Sequence, residues 1–347
     1  MARSHEVRPE ESLGSLLVPD SLAAWAWMFG FAAMATTFLL VKRLPLMGVS
    51  MEALAKQPGV PIGTYILTHL FTWMGAGPVI VLQAVAGGSL YLLIRHVTRI
   101  HDASVETAHL LGIAAVLSPA ALATTLGDVS PDMFILPAVV GLVFASDKRT
   151  WAPYLGSLFL ILLFTNVAPM VLGLAGLALL VEGKYSWGAV ALAIGLIVAP
   201  GLSLLLGNAQ IQGGLLSWYL GGAPAGLVQE IHHLGQAFSW IAQMAGWKEV
   251  LFFIGPIVAF LALSGKRRWN PWWVPALGLI LLHLGVGSSK VVGWEQLSLS
   301  AAGFLFVAVA RSLSEVDLLR LGPARMALLA IPPVLMVAYV LSPHIGV

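Results

Sequence analysis

The chain has no cysteine in its 347 residues, which excludes disulfides, thiolate-bound metals, Fe–S clusters and catalytic thiols. Charge is scarce as well. Asp, Glu, Lys and Arg make up 10% of the residues, against about 25% in soluble domains. The net charge is only +2, and the bases stand singly or in threes between apolar runs, so no tract suited to nucleic acid is present. The HExxH metal spacing, the P-loop and the serine-hydrolase signature are missing. The centres of the apolar runs hold essentially no ionisable residues of the kind that mark a proton or ion path. No matching Gly/Pro breaks recur in two halves of the chain, which disfavours a secondary transporter.

What the sequence does have is apolar surface. Hydrophobic residues make up 59% of the chain and the mean hydropathy is +0.90, more than a water-soluble fold can bury. The expected fold is all-α: a polytopic transmembrane helical bundle of about 11 spans, with no soluble domain. The spans are placed at Ser21–Val41, Gly77–Ile94, Thr107–Leu126, Met133–Ser146, Ala152–Asn166, Ala168–Glu182, Ser186–Leu206, Val250–Ser264, Pro271–Ser288, Gln296–Arg311 and Met326–Pro343. None alternates over ten-residue segments as barrel strands do. Trp151, Trp187, Trp269, Trp272 and Trp273 are read as interfacial anchors.

Charge fixes the expected orientation. The pair of short runs around Asn166-Val167-Ala168-Pro169 reads either as two spans or as one kinked helix. With two spans and a cytoplasmic N-terminus, thirteen of the eighteen Lys and Arg fall inside. Merging the pair would move Lys184 and Lys266-Arg267-Arg268 outside, against the positive-inside rule. The expectation is therefore one integral membrane domain over residues 1–347, multi-pass in a cell inner membrane, with its C-terminus on the outer side. Residues 1–20 form a polar cytoplasmic tail without the apolar core of a signal peptide. Residues 44–76 and 207–249 are outer-face loops carrying interfacial helices.

Candidate site residues gather on that outer face. Asp128 is a loop carboxylate between the third and fourth spans, and Asp132 begins the next helix with Ser130 as its N-cap. A carboxylate there either caps the helix dipole or orients a substrate. Glu52 and Glu230 are further outer-face acids. Glu230 and His233 share a helical face at i,i+3, and without a second ligand cluster they read as a polar face; no metal and no cofactor are expected. His69, His109 and His283 read as structural. Lys290 stands where it could meet a phosphate or snorkel at a helix end.

The stretch from Pro61 to Asn208 resembles the membrane core of the GT-C superfamily of polyprenyl-phosphate-sugar-dependent glycosyltransferases. The features appear in the family's order. An outer P-x-x-x-Y segment runs into aromatics and glycine (Pro61, Tyr65, Phe71, Trp73, Gly75). A span then closes on a basic turn (Tyr91, Arg95, Arg99). The next span carries Ser118-Pro119, and Ser130-Pro131-Asp132 opens the one after. The break at Asn166–Pro169 follows.

The resemblance implies transfer of a sugar from a polyprenyl-phosphate donor at the outer face. An acid would serve as general base and basic groups would hold the lipid phosphate. Asp132, Asp128 and Glu52 would be the catalytic group, and Lys290, Glu230, His233 and Tyr65 would bind substrate. The segment after the first span, where the family carries Asp or Asp-Glu, reads Lys42-Arg43-Leu44-Pro45-Leu46-Met47-Gly48 here, and Glu52 is the one acid of that loop. This motivates the alternative, a non-catalytic GT-C-like subunit or scaffold of a larger membrane complex. A transporter or flippase is the third reading. Expected partners are membrane lipids, a polyprenyl-phosphate sugar, or other membrane subunits, and no nucleic acid.

Overall fold

The computed structural model describes residues 20–42, 61–101, 103–126, 131–205, 266–267, 270–286 and 294–314. The chain is all-α apart from one two-residue antiparallel ladder, and it is membrane-associated. Three of the described helices are long and apolar enough to cross a bilayer: Leu22–Leu40, Gly77–Ile100 and Tyr185–Leu202. The expected spans Val250–Ser264 and Met326–Pro343, and the loop 207–249, lie outside the described residues.

The helices are α1 (Asp20–Lys42), α2 (Ile62–Met74), α3 (Ala76–Ile100), α4 (Val105–Val116), α5 (Pro119–Leu126), α6 (Ile135–Lys148), α7 (Trp151–Phe164), α8 (Ala168–Val181), α9 (Tyr185–Ala193), α10 (Ala199–Leu205), α11 (Trp273–Val286) and α12 (Trp294–Ser312). The ladder joins β1 (Lys266–Arg267) to β2 (Leu313–Ser314).

Helix α12 is the centre. Residues 296–312 are all buried, as expected of a helix that is apolar on every side. It packs against α11, α6 and α3. Small residues on it, Ala301, Ala302, Gly303 and Ala308, let its neighbours come close; van der Waals packing of this kind holds membrane helices together where no hydrophobic force separates them from lipid. Helix α1 lies on the periphery against α3, with Leu22, Trp25, Phe29 and Met34 turned outward.

The expected single span Thr107–Leu126 is broken. Helices α4 and α5 meet at Leu117-Ser118 with a 55° bend. Pro119 supplies no N–H and disfavours helical geometry at Ser118, so the helix cannot run through. Ser118 Oγ bridges the break, donating to Ala115 O at 2.7 Å and accepting from Ala121 N at 3.3 Å. Gln83 on α3 donates to the carbonyls of Thr124 and Thr125, which satisfies part of the open end of α5. The expected span Ser186–Leu206 also deviates: a π-helical turn at Ile194–Val198 separates α9 from α10. Pro200, which cannot donate to the preceding turn, sits just beyond it.

The run on either side of Asn166 forms two helices. Helix α7 starts where Tyr154 donates to Trp187 O at 2.6 Å, and α8 returns to the same end of the bundle at Glu182. The chain reverses over Thr165–Val167, where Thr165 Oγ1 accepts from Val167 N. One kinked helix would have left these ends far apart.

Helices α8 and α9 pack through glycines. A Cβ on Gly176 would meet Gly188 O at 2.9 Å and Leu192 Cγ at 2.7 Å. Gly176→Ala should therefore cost about 1–3 kcal/mol by overpacking. Gly156→Ala, at a position with nothing within 4 Å, should be neutral or stabilising by up to about 1 kcal/mol. Thermal unfolding of both variants in one detergent measures the difference.

Candidate functional site

Two polar layers close the bundle, one at each end. The first forms around Asp132. Pro131 opens a 3-10 turn, Pro131–Phe134, that leads into α6, so Asp132 belongs to this turn and not to the α-helix proper. Gln296, in the first turn of α12, donates from Nε2 to Asp132 Oδ1 at 2.9 Å and accepts the Asn166 N–H on Oε1 at 2.8 Å. One buried glutamine thus joins the start of α6, the α7–α8 turn and α12. Asp132 is half-buried and Gln296 buried.

Tyr65 is not brought into this layer. Helix α2 turns Gly63, Thr64 and Leu67 inward, with Gly63 against Phe164. Tyr65, Ile66, His69 and Trp73 form its exposed face, and His69 Nδ1 donates to Tyr65 O at 2.8 Å. This amphipathic helix is the interfacial element expected in 44–76. Glu52, Asp128, Glu230, His233 and Lys290 lie outside the described residues. Among the described residues, no group of three or more His, Cys, Asp and Glu could hold a metal ion.

The second layer went unread in the sequence. Arg311, in the last turn of α12, pairs through Nη2 with Asp147 Oδ1 and through Nη1 with Glu182 Oε1. Lys184 Nζ lies 2.5 Å from Asp147 Oδ1 and 3.0 Å from Glu182 Oε2. His101 Nε2 approaches Asp147 Oδ2 at 3.4 Å. Trp272 donates from Nε1 to Glu182 Oε1 at 2.7 Å, and its ring centroid lies 5.3 Å from the Arg311 guanidinium carbon. Trp272 is fully buried, so it is not the interfacial anchor the sequence led us to expect. Asn270 caps the end of α12, donating to Ala308 O and Ser312 Oγ.

Two carboxylates face two obligate cations here, so the formal charges cancel and each desolvated group has a partner. Asp147 stands one residue beyond the expected end of its span. Burial pushes its carboxyl up, but the His101 hydrogen bond and the charges of Arg311 and Lys184 outweigh burial and hold it well below the usual carboxylate range. A depressed folded value stabilises the fold above the unfolded value near ~3.9, and that contribution is lost as pH falls through the folded value. The layer is therefore constant across neutral pH.

The signal was present in the sequence. Asp147, Glu182, Lys184 and Arg311 all flank span ends that the topology sets on one side, and an acid beside a base at converging helix ends is a pairing candidate. No family model matches the chain, and neither a curated protein nor a solved structure matches it.

The chemistry this layer supports is a static helix tie. Arg311→Met, which leaves two buried carboxylates facing Lys184 alone, should cost about 3–5 kcal/mol. Adding Asp147→Asn should recover part of that loss. Unfolding midpoints of the wild-type, single and double variants, measured at neutral pH in one detergent, check this.

Proposed function

We propose that the chain is a GT-C-like, multi-pass inner-membrane protein that serves as a non-catalytic subunit of a larger membrane assembly. The observation that carries this reading is the Gln296 bridge. The carboxylate in the family-like Ser-Pro-Asp segment accepts a hydrogen bond that joins three helical elements, which is an architectural use of the group. Charge supports the orientation. Of the nine described Lys and Arg, eight (Arg95, Arg99, Lys148, Arg149, Lys184, Lys266, Arg267 and Arg311) lie toward the Asp147 end, and Lys42 lies at the other. By the positive-inside rule the Asp147 end is cytoplasmic and the Asp132 layer faces outward.

Depth adds to this. Gln296 and Arg311 are fifteen residues apart on α12, about 22 Å at the helical rise. A hydrocarbon core is about 30 Å thick. With the Arg311 layer at the inner boundary, the Asp132 layer sits some way below the outer one, where a polar group must find its partner within the protein.

The second reading, transfer of a sugar from a polyprenyl-phosphate donor, is favoured by one observation: Asp132 keeps part of its surface exposed on that outer end. One variant separates the two. Asp132→Asn preserves an acceptor for Gln296 Nε2 but cannot act as a base. In the subunit reading it should leave stability and co-purifying proteins unchanged, and Asp132→Ala should cost about 1–3 kcal/mol by stranding Gln296. Loss of glycosyl transfer to acceptor in a correctly assembled Asp132→Asn variant would establish the enzyme instead. Gentle detergent extraction with mass analysis of co-purified chains, alongside a polyprenyl-phosphate-sugar assay, reads both outcomes.

A further inference from the structure

A groove runs between α3, α6 and α7 on the outside of the bundle, beginning just below the Asp132 layer. Leu82 and Phe134 stand at its upper end, Leu93 and Phe144 at its lower end, and Gly141 and Ser157 on its floor. The floor exists because Gly141 has no side chain: a Cβ there would meet Ser157 Oγ at 2.9 Å. The lining is almost wholly apolar. The Ser89 hydroxyl that reaches it is already donated to Ala86 O at 2.7 Å. Such a surface offers little to a polar ligand.

Its dimensions select the occupant. From Leu82 to Leu93 the groove follows eleven residues of α3, about 16 Å of helix, which matches the ~15 Å hydrocarbon depth of one leaflet. The volume is about 330 Å³; spread over that length, it gives a mean cross-section of about 20 Å². A helix with side chains is about 10–12 Å across and needs several times that section. A single hydrocarbon chain does not.

We propose that this groove is a binding site for one acyl chain of a resident bilayer lipid, held in the outer leaflet alongside α3, α6 and α7. The inference rests on the membrane orientation given above and is independent of whether the protein is a subunit or a transferase. The chain lies along the helices, fills the channel above Gly141 and Ser157, and completes the packing between α3 and α7 that the protein alone leaves open. Its headgroup end points to the Asp132 layer.

The test is photolabelling of the full chain reconstituted in nanodiscs made of a phospholipid with a diazirine midway along one acyl chain. Adducts are mapped by peptide mass analysis. Labelling of Ala86, Ser89 and Phe144 several-fold above the exposed apolar residues Phe159, Leu177 and Leu281 is expected. Equal or weaker labelling in the groove, with those three residues labelled, overturns the site but leaves the membrane reading intact. Absence of label at Phe159, Leu177 and Leu281 overturns both.

A second arm identifies the chain. Wild-type protein extracted in mild detergent should retain about one diacyl lipid per polypeptide, and Ala86→Phe or Ser89→Leu should lose it. Retention of a polyprenyl lipid instead overturns the acyl assignment. The labelling arm uses native protein, so it decides the matter even where a groove-filling variant fails to fold.

Discussion

Arg311 is the group around which the described bundle is arranged. It stands in the last turn of a helix buried on every side and must place a permanent charge where water is scarce. Only carboxylates delivered by other helices can make that tolerable. Asp147 comes from the end of α6 and Glu182 from the end of α8, with Lys184 and Trp272 completing the shell. The pairing fixes how far each helix runs before it turns, and it sets α6, α8, α11 and α12 at a common level. Arginine suits the position because its planar fork reaches two carboxylates and stacks on an indole at the same time.

The Asp132 layer does the same work with neutral chemistry at the opposite end. Gln296 carries both a donor and an acceptor on one side chain, so it serves a carboxylate and a backbone N–H together. Between the two layers the helices meet through glycine and alanine, and dispersion replaces the hydrophobic force that lipid cannot supply. Polar ties at both ends and close-packed small residues between them explain how helices of only fourteen residues, α7 and α8, hold their places in the bundle.

The GT-C resemblance and this architecture meet at Asp132 and then diverge. The family pattern would use the outer carboxylate on a substrate, whereas the bridge through Gln296 uses it on the protein. The lateral groove adds a third partner to that end of the molecule. If a lipid chain fills it, the surface between α3 and α7 is complete only in the membrane, and extraction conditions will decide what is observed of this protein.

Apolar runs of helical length, the scarcity of charge and the clustering of bases were enough to fix the all-α, membrane-associated class, the position of most helices and the return of the chain at Asn166. These are properties of single segments against water and lipid, so they are local and additive. Pro119 gave a local warning of the break in Thr107–Leu126, but its 55° angle depends on how α5 settles against Gln83. The candidate site was legible only at Asp132. That Tyr65 turns away from it, that Trp272 is buried and not interfacial, and that Gln296 bridges two elements follow from helix rotation, which a hydropathy pattern uniform around the helix does not encode. Arg311, Asp147 and Glu182 are more than thirty residues apart in the chain, and only tertiary packing could make three span-end charges into one desolvated cluster.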